Sequence, residues 1–153
     1  MSTTAPIRLG VAAMDRKARS KPMQNILNRL LSSGRWEVIV FGAKVILDED
    51  VDTWPIVDVL ISFFSTGFPL EKAIKYYELR RPVCVNDLYM QTVLWDRRAV
   101  LRILEQVGVP TPPSVYADRD GGPRLSKPVL DEIRANTGLD FSLRAPPAEE
   151  QVL

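Results

Sequence analysis

Ala13-Met14-Asp15-Arg16-Lys17-Ala18-Arg19-Ser20-Lys21-Pro22-Met23 joins an apolar run to an amphipathic one, and this junction decides the fold. Upstream, Ile7 to Met14 is apolar apart from Arg8 and predicts a strand. Downstream, Met23, Ile26, Leu27, Leu30 and Leu31 recur at helical spacing and predict a helix over Lys21 to Ser32 with those five residues on its buried stripe. The junction places four cations (Arg16, Lys17, Arg19 and Lys21) against one carboxylate, Asp15, within seven residues. A strand-to-helix turn at the carboxyl edge of a sheet is where α/β proteins bind ligands, because the free N–H groups and the positive dipole end of the helix favour an anion. Four mobile cations there suit a highly negative ligand. Charge alone leaves a second reading open, that of a solvated basic loop.

Working outward, the chain alternates. Gly34 is a C-cap candidate for the first helix, and Trp36 to Phe41 predicts a second strand. Val45-Ile46-Leu47 reads as a further small strand. Val57 to Phe64, almost wholly apolar, predicts a strand covered on both faces. Gly67-Phe68-Pro69 turns the chain into a helix over Leu70 to Arg80, and Pro82 to Val85 is a fourth strand. Asn86-Asp87 caps a helical stretch that continues or restarts at Asp96 and ends at Gly108. Successive βα units predict an α/β fold with an open, mostly parallel sheet flanked by helices. After Gly108 the texture changes: Val109-Pro110-Thr111-Pro112-Pro113 cannot continue a helix, Ser114 to Ala117 can start a strand, and Asp118 to Pro123 is a turn. Pro128 to Asn136 predicts a short helix closed by Gly138, and Arg144 to Glu150 a loose tail. The expected division is a domain over 1–108 and a hinge with the start of a further region over 109–153.

Composition excludes several classes. The formal net charge of +1 makes the basic cluster a local feature, unlike the global charge of a nucleic-acid-binding protein. No run of about 18 apolar residues predicts a membrane span. There is no histidine, which removes Ser-His-Asp and Cys-His catalysis, and with Cys84 as the one cysteine a zinc site is not expected. Cys84, within Val83-Cys84-Val85, reads as a buried, inert thiol and fits a reducing, cytoplasmic setting. The spacings of a P-loop and of a dinucleotide-binding glycine fingerprint are both missing. Asp96-Arg97-Arg98 has two readings, a surface patch with Asp96 as a local N-cap or an arginine aimed at a ligand. The glycine of Ser65-Thr66-Gly67 serves a turn.

The order of Asn86-Asp87, Asp96-Arg97-Arg98 and Gly108-Val109-Pro110-Thr111-Pro112 resembles a pre-ATP-grasp domain passing into an ATP-grasp fold. With Ala13-Met14, Ser20-Lys21-Pro22-Met23, Trp54-Pro55, Leu60-Ile61-Ser62-Phe63, Gly67-Phe68-Pro69-Leu70 and Val85-Asn86-Asp87-Leu88, the chain resembles the N-terminal domain of the diphosphoinositol pentakisphosphate kinases, the VIP-type inositol hexakisphosphate kinases. Arg119-Asp120-Gly121-Gly122-Pro123 is similar to the fungal branch.

The resemblance implies an ATP- and magnesium-dependent kinase that phosphorylates inositol hexakisphosphate or its 5-diphospho derivative to 1-diphosphate products. It implies that Arg16 and Lys17 contact the inositol polyphosphate, with Arg16 where the family has a lysine, and that Arg97 contacts ATP. Thr66 stands where animal members have a lysine linked to substrate capture, and no site is assigned there. No catalytic residue and no metal ligand is expected in this stretch. The ATP-grasp lobes of the same protein would be its partner, and the stretch alone is expected to be inactive. Two other readings stand beside this one, a non-catalytic inositol-phosphate-binding module and a piece of an ATP-grasp carboxylate–amine ligase.

Overall fold

The structure is a computed structural model that describes residues 5–115, 117 and 121–138. It forms two compact units, one ending at Leu88 and one beginning at Tyr89. The first unit contains β1 (Ile7–Ala13), α1 (Asp15–Ala18), α2 (Lys21–Leu31), β2 (Trp36–Val40), α3 (Gly42–Asp48), β3 (Val59–Phe63), α4 (Leu70–Arg80) and β4 (Val83–Cys84). The four strands pair in the order β2-β1-β3-β4, and every pairing is parallel. The α/β expectation with a parallel sheet is met.

Alternation along β1 explains why both faces are covered. Leu9, Val11 and Ala13 point to one side, where they pack with Ala18 of α1 and with Met23 and Leu27 of α2. Ala12 points to the other side, into a cluster with Phe41, Ile46, Trp54, Leu60, Ala73 and Tyr76. A strand buried on both faces has no polar side to show, as a central parallel strand requires. Gly10 belongs to the second face. A Cβ there would stand 2.9 Å from both Phe41 Cε1 and Val57 Cγ2, so the missing side chain makes room for the Phe41 ring.

Two expectations are corrected. Val45-Ile46-Leu47 is helical, the centre of α3, not a strand. In that helix Ile46 enters the core at 0% exposure while Leu47 stays 45% exposed, so the triplet is divided between core and solvent. The first long helix also buries a narrower stripe than expected. Met23 and Leu27 are buried and Leu30 is half-buried, whereas Ile26 and Leu31 are 50% and 46% exposed. α2 therefore touches the sheet along one seam only.

The second unit holds α5 from Tyr89 onward (the helix as a whole is Leu88–Val93), α6 (Arg97–Gln106) and α7 (Lys127–Thr137). Val93, Ala99, Val129 and Ile133 form its core, so the residues after Gly108 share apolar cover with α5 and α6. Gly108 at φ 75° follows the end of α6, and Gly138 at φ 71° closes α7, both in the left-handed region that glycine adopts without strain. Of the strand expected over Ser114 to Ala117, the described residues Ser114, Val115 and Ala117 carry no strand. Gly121 and Gly122 form a bend, while residues 118–120 of the expected turn and the expected tail lie outside the described residues.

Cys84 sits in edge strand β4 and is half-buried, less enclosed than its apolar neighbours in sequence imply. Desolvation, assisted by the negative charge of Asp87, pushes its thiol up to about 11. A group with a raised thiol pKa stays neutral until the pH approaches that value, and the thiolate is the nucleophile. Alkylation of the folded chain by iodoacetamide is therefore expected to be negligible at pH 7.5 and to rise only above about pH 10. Rapid labelling at pH 7.5, followed by mass spectrometry, would contradict this reading of the site.

Candidate functional site: the carboxyl edge of the sheet

The strand order reverses at the β1–β3 pair, because β1 leads outward to β2 on one side and β3 leads outward to β4 on the other. Such a switch point leaves a crevice beyond the carboxyl ends of the two strands. Ala13 and Phe63, the last residues of β1 and β3, are direct register partners there. The chain leaves Ala13 into α1, which carries Arg16 and Lys17.

This segment is more ordered than a mobile basic loop. Met14 carbonyl accepts the N–H groups of Lys17 (2.7 Å) and Ala18 (3.0 Å), and buried Ala18 anchors the turn to the core. Ser20 then caps α2, accepting the Met23 N–H at 3.4 Å while its own hydroxyl donates to Lys17 carbonyl at 2.8 Å. Gln24 Nε2 donates to Ala18 carbonyl at 3.1 Å and ties the two helices together. The cations project from a fixed backbone.

Their one local carboxylate is engaged elsewhere. Asp15 Oδ1 accepts the Ala43 N–H at 2.8 Å, supplying a partner to the amino end of α3. Its Oδ2 lies 4.0 Å from Arg19, a long and exposed contact of little energetic weight. Among the described residues no carboxylate pairs with Arg16, Lys17 or Lys21. Arg16 and Lys21 are exposed. Lys17 is half-buried, its Nζ 5.4 Å from the centroid of the Phe63 ring. The edge thus carries positive charge that the described carboxylates do not neutralise.

Not every cation of the first unit belongs to this edge. Lys72 Nζ donates to the carbonyls of Leu47 (2.9 Å) and Glu49 (2.7 Å), at the carboxyl end of α3, and lies 6.0 Å from the Trp54 ring centroid. Arg80 donates to Asp52 carbonyl at 2.8 Å, and Arg8 pairs with Asp58 at the amino end of the sheet. These three are structural. Lys44, exposed and directly after Ala43, adds a cation in the first turn of α3 that the strand reading of this segment passed over. Gly67, at φ 85°, serves the turn closed by the Phe68 N–H to Ser65 carbonyl bond of 2.9 Å.

Arg97 lies on the second unit, as the first residue of α6. Asp96 is the N-cap, as one of the two readings of this motif held: its carboxylate accepts the Arg98 N–H at 2.9 Å and the Arg98 guanidinium at 2.6 Å. That pair is about three-quarters removed from solvent and occupies Arg98. Arg97 is exposed, and no carboxylate among the described residues is paired with it. The geometry separates the two arginines into one that holds the helix start and one that faces outward. Arg16 and Lys17 are brought together, and Arg97 stands on the other unit.

Among the described residues no group of three or more acidic or thiol side chains comes together as metal ligands would. No helix among them is long and apolar enough to cross a membrane.

The fold and this edge define an α/β domain of the doubly wound class with a cationic carboxyl edge. The chain belongs to the family described as the diphosphoinositol pentakisphosphate kinase 2 N-terminal domain, whose model matches residues 7–96. It is 52% identical over 143 residues to the inositol hexakisphosphate and diphosphoinositol-pentakisphosphate kinase of Saccharomyces cerevisiae, covering 94% of this chain and 12% of that protein. It is 46% identical over 114 residues to inositol hexakisphosphate and diphosphoinositol-pentakisphosphate kinase 2 of Homo sapiens, covering 74% of this chain and 9% of that protein. The chain therefore spans about an eighth or less of the length of these relatives.

Proposed function

We propose that the chain is the pre-ATP-grasp part of an ATP-dependent inositol polyphosphate kinase that makes 1-diphosphate products from inositol hexakisphosphate or 5-diphosphoinositol pentakisphosphate. One observation carries the reading: among the described residues Arg16 and Lys17 have no carboxylate partner, and they stand on a fixed turn at the switch-point edge. Six phosphate monoesters at about −1.5 to −2 each carry roughly −9 to −12 charges near neutral pH, and an edge that keeps its positive charge suits such a ring. Arg16 grips phosphate oxygens in a fork, where a lysine would offer a point charge. The family match supports a kinase over a ligase.

Arg97 is assigned to the phosphates of ATP, since the Asp96–Arg98 pair leaves it as the outward-facing member of the motif. Phosphoryl transfer needs positioned cations and metal ions around the phosphates, and these residues supply only an edge of that arrangement. In this proposal 1–108 is the pre-ATP-grasp domain and 109–153 the hinge into ATP-grasp lobes that bring the remaining ATP and magnesium contacts. The chain alone binds the inositol polyphosphate without turning it over, in a reducing cytoplasmic setting.

The Arg97 assignment is tested in the yeast relative with this chain in place of its matching segment. Arg97→Ala is expected to raise the KM for ATP about tenfold, the worth of one charge-assisted contact, with little change in the KM for inositol hexakisphosphate. Unchanged ATP kinetics would remove the role.

A further inference from the structure

We propose that Phe63 is a positioning residue whose ring holds the Lys17 ammonium over the switch-point crevice, an inference that rests on the assignment of Lys17 to the inositol polyphosphate. Phe63 ends β3 and faces the same side of the sheet as Val59 and Ile61, the side covered by α1 and α2. Those two residues pack against the core beneath, whereas Phe63 remains 42% exposed and joins no buried cluster among the described residues. An aromatic side chain so placed gives little to packing. Among the described residues the cation over its ring is Lys17, whose ammonium lies 5.4 Å from the ring centroid.

The register explains why they meet. Ala13 and Phe63 are partners across β1 and β3, and Lys17 follows Ala13 by one turn of α1. The ring therefore lies beneath the first turn that leaves β1.

An aromatic face restrains a lysine in a way that a carboxylate cannot. A free lysine has several rotatable bonds to order when it grips a ligand, and ordering them weakens binding. An ion pair would order the chain but cancel its charge. The π-face attracts the ammonium through its quadrupole and leaves the charge, and the N–H donors turned away from the ring, available to phosphate oxygens. Asp15, the carboxylate in the same turn, is held by the Ala43 N–H instead. Phe63 thus presets Lys17 before the ligand arrives.

The test uses the whole 153-residue chain with inositol hexakisphosphate as the probe, followed by calorimetry at low salt. Phe63→Leu is expected to weaken binding roughly two- to five-fold, and Phe63→Trp to match or exceed the parent, following the strength of the ring–cation attraction. In a Lys17→Met background, Phe63→Leu is expected to have no further effect. Without ligand, the Lys17 ε-CH2 proton resonances are expected upfield from the ring current and back at ordinary positions in Phe63→Leu. Thermal melts of the variants should coincide, since the ring is partly exposed; Phe63→Met serves if Phe63→Leu does not fold. The proposal is overturned if Lys17→Met weakens binding while Phe63→Leu leaves it unchanged, or if Phe63→Leu weakens it equally with and without Lys17. If Lys17→Met itself leaves the affinity unchanged, the Lys17 assignment fails first and this proposal falls with it.

Discussion

Trp54→Ala is expected to destabilise the chain by about 3–5 kcal/mol, measured as a shift of the urea midpoint at constant slope. Trp54 is 1% exposed and forms a three-ring cluster with Phe41 and Tyr76, with centroids 5.8 Å and 5.4 Å from its own. Its indole N–H donates to Glu49 carbonyl at 3.3 Å, and the Lys72 ammonium lies over it. Truncation would leave a cavity among side chains already fixed by other bonds, such as the Tyr76 hydroxyl donating to Pro55 carbonyl at 2.6 Å. Collapse into that space is hindered, which places the loss at the upper part of the range for core truncations. Domains of this size have a total stability of about 5–15 kcal/mol, so such a loss approaches the whole reserve. Phe41 of the same cluster covers Gly10 of β1, the strand that carries the basic turn, so inositol hexakisphosphate binding should fail in parallel with unfolding. A loss below about 1 kcal/mol would show that the aromatic cluster is not the keystone of this face.

The second large effect is electrostatic. Arg16→Gln with Lys17→Gln is expected to reduce the affinity of the chain for inositol hexakisphosphate by at least tenfold while leaving the urea midpoint unchanged. Charge-assisted hydrogen bonds are worth about 1.5–3 kcal/mol each when formed, and solvent screening at this exposed edge lowers the sum. Neither side chain holds the fold through an ion pair: Arg16 is exposed, among the described residues neither pairs with a carboxylate, and the Lys17 contact is with the partly exposed Phe63 ring. The same pair of substitutions should also flatten the salt dependence of binding between 0.05 and 0.3 M. Neutralising Lys72 is the contrasting case, because its ammonium holds the carboxyl end of α3; Lys72→Met should lower stability and leave the salt dependence in place.

The strands and long helices are legible in the sequence because their signals are local. Ile7 to Ala13 is an unbroken apolar strand after Arg8, and Leu70–Arg80 coincides with the helix expected there. Where reading failed, a distant contact decided the outcome. Val45-Ile46-Leu47 has the composition of a strand, yet the segment is a helix whose first turn is bonded to Asp15, 28 residues earlier. No window around Val45 contains that bond. Ile26 and Leu31 fit the helical stripe by spacing, but α2 meets the sheet along Met23, Leu27 and Leu30, and the stripe is wider than the seam.

The geometry of the candidate site was half legible for the same reason. A run of cations after a strand is visible in one dimension, and so is the Asp96-Arg97-Arg98 motif. Which arginine of that motif is tied down depends on a 2.6 Å ion pair, and sequence offers no means to choose. Phe63 reads as one more apolar residue of a strand; its exposure and its lysine neighbour come from the register of β1 with β3. Lys44 was hidden by the strand reading of α3.

The most direct measurement is an amide NMR titration of the 15N-labelled chain with inositol hexakisphosphate. Perturbations are expected to centre on Arg16, Lys17 and Ser20 and to extend to Ala43 and Phe63, while Arg8 and Asp58 at the amino end of the sheet stay unmoved. A pattern centred on Arg8 and Asp58, or saturation of binding with Arg16 and Lys17 undisturbed, would contradict the account.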